Sequence, residues 1–146
     1  MFERAKSNLE FTRKKLEKAK EEFSKNDLTE TIHYIWTVFE NCINVIKDAK
    51  DDKPLFEHKS KIDLFSLYYS LGYLKTDYSN IFAILEKLRI RADFGEYSNS
   101  PNLPSKEKIE GFLEKTEHLF KETEKMLLEL QSKKKVKKIE EFKSKR

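Results

Sequence analysis

Apolar residues return every third or fourth position over long stretches of this chain, and only three glycines and three prolines interrupt them. That spacing is the period of an α-helix with one apolar face. Phe2, Ala5, Leu9, Thr12, Leu16, Ala19 and Phe23 predict a first helix of about 22 residues. Asn26-Asp27 breaks it, and Asp27-Leu28-Thr29-Glu30 has the spacing of a capping box that opens a second helix. Leu28, Ile32, Ile35, Phe39, Cys42, Ile46 and Ala49 continue the rhythm there, widened by Trp36 and Ile43. Lys50 to Glu57, with Asp51-Asp52 and Pro54, reads as a connecting loop.

A third helix is expected from Lys59 to Lys75, apolar most of the way round (Ile62, Leu64, Phe65, Leu67, Tyr68, Tyr69, Leu71, Leu74), as a segment buried among several neighbours would be. A fourth starts near Thr76-Asp77, carries Tyr78, Ile81, Leu85, Leu88 and Ala92 on one stripe, and ends at Gly95. Residues 98–104 form a turn-rich loop. Ser105 then caps a last long helix with Ile109, Phe112, Thr116, Leu119, Thr123, Met126 and Leu130 at the core spacing. Helices of this kind bury their faces only by packing together, so the expected fold is an all-α antiparallel bundle of about five helices. The regularity of the first, second and last helices leaves a second use open, in which part of their apolar surface serves a dimer.

Composition limits function. The 146 residues suit one domain, and 38% of them are charged. The net charge of +4 is unevenly placed: residues 133–146 carry eight basic and two acidic side chains, which leaves residues 1–132 at −2. The chain therefore divides into a near-neutral helical domain, 1–132, and a basic C-terminal tail, 133–146. Lys133, Lys134 and Lys135 in such a tail can hold a nucleic-acid backbone by releasing counterions, without reading sequence, or simply solubilise a helix end. No stretch approaches the roughly 18 apolar residues of a membrane span, and a single cysteine fits a reducing, cytoplasmic setting. His33, His58 and His118 lie on three different segments, so no metal site or other cofactor is expected. No Gly-rich phosphate loop and no nucleophile motif is present. Cys42 falls on a core stripe, and Tyr68, Tyr69, Tyr73 and Tyr78 read as core aromatics, with base stacking as the other use.

The chemistry concentrates at Leu88-Arg89-Ile90-Arg91-Ala92-Asp93-Phe94-Gly95-Glu96-Tyr97. Arg89 and Asp93 are four apart and can pair on one helix face. An Arg held in that way suits a phosphate or a partner carboxylate, or it merely ties down the helix end. Together with His58-Lys59, this stretch resembles the HEPN superfamily, and within it the small prokaryotic proteins with a terminal L-R-x-x-A-D-Y motif, here ending in Phe94. The resemblance covers about residues 2–130 and extends to helix order.

It implies a helical bundle that is typically a homodimer. It also implies a toxin-antitoxin or phage-defence setting, with a nucleotidyltransferase-type antitoxin as one partner class. Many HEPN proteins are metal-independent ribonucleases whose signature is an Arg followed, four to six residues on, by a His. Neither Arg89 nor Arg91 is followed by one, so the general base expected on a ribose 2′-hydroxyl is missing. What the resemblance then implies is a non-catalytic module binding RNA, a nucleotide or a protein, through Arg89, Asp93, His58 and the tail lysines. The alternative is a ribonuclease using Arg89 and Arg91, with Glu96, Tyr97 or His58 assisting.

Overall fold

The structure is a computed structural model that describes residues 2–50, 60–93 and 104–144, with side chains except at 90–93 and 144. Among these residues the chain forms five helices and no strand: α1 (Phe2–Ser24), α2 (Leu28–Lys50), α3 (Lys61–Ser70), α4 (Ser79–Asp93) and α5 (Lys106–Ser144). The fold is the all-α antiparallel bundle that the spacing predicts.

α1 buries Ala5, Leu9, Thr12, Leu16 and Ala19 and leaves Phe2 and Phe23 partly covered. Its reversal into α2 turns on Asn26, whose φ of 62° lies in the left-handed region that a short polar side chain tolerates. Asp27 Oδ1 then accepts the Glu30 N–H at 3.1 Å, which satisfies a donor that the first turn of α2 leaves open. α2 is the central helix. Its buried positions, from Thr31 and Ile32 to Ala49, go well beyond a single stripe, because α1 and α5 cover one side of it and α3 and α4 the other.

α5 runs antiparallel to α1. Lys20 meets Glu117 and Arg13 meets Glu124, each at 2.7 Å, and the ammonium of Lys134 lies 5.1 Å from the centre of the Phe2 ring. Lys20 holds the Glu117 carboxyl below the usual carboxylate range. Between these pairs Ile109, Phe112, Thr116, Leu119, Thr123, Met126 and Leu127 are buried. Thr12, Thr116 and Thr123 each return their hydroxyl to the carbonyl four residues back, so all three are buried with their hydrogen bond made. The apolar stripes of α1, α2 and α5 thus cover one another within a single chain. At about 1.5 Å per residue, the 39 residues of α5 extend roughly 58 Å and the 23 of α1 only about 35 Å. α5 therefore outruns its partner.

The other half is smaller and more aromatic. Ser60 caps α3 by accepting the Asp63 N–H at 3.2 Å, and the helix stops at Ser70 rather than continuing to Lys75. Gly72, at φ 83°, reverses the chain while its N–H returns to Tyr69 O and that of Tyr73 to Tyr68 O, which is the Schellman arrangement. No heavy atom lies where a Cβ on Gly72 would go, so the left-handed backbone alone asks for glycine there. α3 is also less surrounded than its composition predicts: Leu64, Phe65 and Tyr68 are buried, whereas Tyr69 and Leu71 are exposed.

α4 brings a second departure. Its inward residue is Phe82, fully buried, with Ile81 only partly covered. Phe82 lies 5.1 Å from Phe65 and 6.2 Å from Phe39 between ring centres, and Tyr78 meets Phe39 edge-on at 5.9 Å. This aromatic cluster joins α2, α3 and α4.

Candidate functional site

The core line of α4 runs Tyr78, Phe82, Leu85 and Leu88, and Arg89 follows Leu88, four positions past Leu85 and so on the adjoining edge of the same face. Arg89 therefore stands at the edge of the apolar side of its helix, beside Trp36 of α2. The guanidinium carbon lies 4.1 Å from the centre of the Trp36 ring, a cation–π contact, and the same indole stacks on Phe82 at 6.4 Å between ring centres. Arg89 closes the α2–α4 seam with its charge on an aromatic face. Among the other residues singled out in the sequence, His58, Glu96 and Tyr97 lie outside the described residues, as do the side chains of Arg91 and Asp93.

The tail lysines fall into a different place. α5 does not break at residue 132 but continues as helix to Ser144, with every described position from Ser132 onward exposed. The pairs Lys20–Glu117 and Arg13–Glu124 step along the α1–α5 seam seven residues at a time, and one more step sets Lys6 opposite Gln131. Positions 131, 134, 135 and 138 share one face of α5. The result is a groove of about 230 Å³ lined by Phe2, Lys6, Gln131, Lys134, Lys135 and Lys138. Lys134 and Lys135 come together there, while Lys133 is exposed on α5 and does not line the groove. Lys6, Lys138 and Phe2 are the members that sequence reading missed. Lys138 was legible as the i+4 neighbour of Lys134, but Lys6 and Phe2 join only through the antiparallel register. Four ammonium groups around one aromatic ring form an anion-binding surface with an apolar floor.

Elsewhere the chemistry is structural. Glu122 accepts the Lys75 N–H at 2.6 Å and the Tyr78 hydroxyl, and so ties the α3–α4 turn to α5. Burial, with Glu122 beside it, pushes the Tyr78 phenol up. Cys42 is fully buried, and that burial pushes its thiol up to about 12, far from a reactive thiolate. His33 is partly buried and meets Tyr34 edge-on at 5.7 Å, and His118 is exposed. Of the four tyrosines, Tyr68 and Tyr78 are core, Tyr73 is partly covered and Tyr69 is exposed. Among the described residues no three His, Cys, Asp or Glu side chains gather as metal ligands, and no helix is long and apolar enough to cross a membrane.

The chain matches no protein-family profile, no curated protein and no solved structure.

Proposed function

We propose that this chain is a HEPN-like, non-catalytic helical module that binds RNA at the basic groove between the start of α1 and the far end of α5. The observation that carries this reading is the convergence of Lys6, Lys134, Lys135 and Lys138 on Phe2. Lysines provide the sequence-independent grip on phosphates, and an exposed aromatic edge receives a base. The toxin-antitoxin or defence setting, the homodimer and a nucleotidyltransferase-type or other protein partner belong to the same proposal and rest on the family resemblance alone. The contact of Arg89 with Trp36 supports a packing role for that arginine; the ribonuclease alternative uses Arg89 and Arg91, with Glu96, Tyr97 or His58 assisting.

The test is binding of a labelled single-stranded RNA, measured over a series of salt concentrations in the presence of chelator. Binding is expected to weaken steadily with salt. Replacing Lys6, Lys134 and Lys138 together by Ala is expected to reduce the slope of log K against log salt by about 2, at roughly 0.7 per lost phosphate contact. A slope unchanged by the triple substitution would sink the groove as the site. Cleavage of the RNA with the fold intact, abolished in Arg91→Ala, would replace the binding module by the enzyme.

A further inference from the structure

The groove leaves a separate feature of the same helix unexplained. Leu128, Val136, Ile139 and Phe142 are 59%, 54%, 56% and 62% exposed, large apolar side chains left in solvent on this stretch of α5. At roughly 100° per residue they fall within one third of the helix circumference. That third lies almost opposite the stripe of Ile109, Leu119 and Met126 that faces α1 and α2. It is therefore not an overrun of the core pattern but a second apolar stripe with a different direction. Lys135 and Lys143 sit within it, Lys138 lies along one margin and Glu129 and Glu140 along the other. Ile139 and Phe142, with Lys138 and Lys143, line a shallow depression of about 290 Å³.

We infer that this outer stripe of α5 seats the protein on an anionic lipid surface. The inference goes beyond RNA binding and uses apolar residues that line none of the groove, although Lys135 and Lys138 border both. Charge selects among the possible occupants. Residues 131–143 carry six lysines and two glutamates, so two copies laid stripe to stripe would bring a strong excess of like charge together. A nucleic-acid backbone would satisfy the lysines and leave Leu128, Val136 and Ile139 in water. A protein helix would need walls around it to bury the stripe, and α5 offers one convex helix with no described neighbour on that side.

A bilayer asks for neither walls nor a complementary outline. It takes a half-exposed apolar stripe into the headgroup boundary while lysines reach the anionic headgroups along their alkyl stems.

The experiment is co-sedimentation of the full chain with vesicles of phosphatidylcholine alone and of phosphatidylcholine containing phosphatidylserine, at low and high salt. Binding is expected to the phosphatidylserine vesicles only, weakened by salt. Ile139→Ser and Phe142→Ser are each expected to reduce it about tenfold, the scale set by one apolar side chain returned to water. Both positions are exposed, so thermal unfolding should be unchanged and a loss of binding cannot be ascribed to misfolding. Lys6→Ala, which changes the groove and not the stripe, is expected to weaken RNA binding and leave vesicle binding intact.

Absence of binding to phosphatidylserine vesicles overturns the inference, as does equal binding to neutral ones. It is equally overturned if the serine variants bind lipid normally, or if their effect is instead a halved mass in light scattering or a loss of RNA affinity. In none of these cases is the groove reading affected, since Lys6→Ala, which leaves the stripe unchanged, reports on it separately.

Discussion

The two parts of α5 share one helical period and meet opposite fates. Residues 106–130 carry five Lys and seven Glu, residues 131–144 six Lys and two Glu, and in both the apolar residues recur at helical spacing. In the first half Ile109, Phe112, Leu119, Met126 and Leu127 are buried against α1 and α2. In the second, Val136, Ile139 and Phe142 stand more than half exposed. The difference is in the neighbours. α1 begins at Phe2, level with Lys134, and past that point every described side chain of α5 is exposed. Helical spacing specifies a helix with an apolar face. Whether that face becomes core depends on whether another element reaches it.

The contrast can be broken most directly by truncating equivalent side chains. Leu119→Ala is expected to cost about 2–4 kcal/mol, the transfer loss plus a cavity in a closed seam. Ile139→Ala is expected to cost less than about 0.5 kcal/mol, because that side chain is already in water. Urea midpoints at equal slope measure both. Similar costs at the two sites would mean that the second half packs as the first does.

Alkaline pH probes the packed half from inside. The Cys42 thiol, pushed up to about 12 by burial, lies against Thr123 of α5. A raised folded-state value means that the contribution of the neutral thiol to stability is fully present below the ordinary thiol range, near 9. It is then lost as pH rises toward 12. The Tyr78 phenol shifts in the same direction. The urea midpoint is therefore expected to fall above about pH 9, and to fall less steeply in Cys42→Ala. Identical pH slopes would detach Cys42 from the effect.

A smaller change is expected when the second half is removed altogether. Ending the chain after Gln131 removes side chains that are exposed, so stability should move by less than about 1 kcal/mol while salt-dependent RNA binding is lost. A large fall in melting temperature would show that the extension contributes to the core. The smallest effect belongs to the charged seam. A double-mutant cycle on Arg13 and Glu124, both partly exposed, should return about 0.5 kcal/mol of coupling that shrinks with salt.

How much of this was legible beforehand follows the same logic. The stripes of α1, α2 and α5 could be read position by position, because each packs along its length against a parallel or antiparallel neighbour and the period never shifts. α3 was read five residues too long because its apolar run continues through Leu71 and Leu74. The stop lies in the backbone of Gly72, which periodicity does not register. On α4 the choice between Ile81 and Phe82 was open to spacing alone, and the rings of Phe39 and Phe65 decide it. Arg89 flanks buried Leu88, as the spacing predicts, and its contact with Trp36 comes from the packing of α4 on α2. The lysine site was half visible, since Lys134 and Lys135 announce themselves by composition. Lys6 and Phe2 belong to it only through a register that runs across more than 120 residues of sequence.

The order of the helices also sets a timetable for synthesis. α1 and α2 form an antiparallel hairpin from adjacent sequence, complete once Lys50 is made. The helix that covers their shared face begins only at Lys106. At about 5–20 residues per second, the ribosome needs roughly 3–11 s to reach it. Throughout that interval Ala5, Leu9, Leu16 and the inward side of α2 have no permanent cover. A growing chain of this protein therefore passes through a sticky half-built stage, during which it is an obvious client for a chaperone that grips apolar helices.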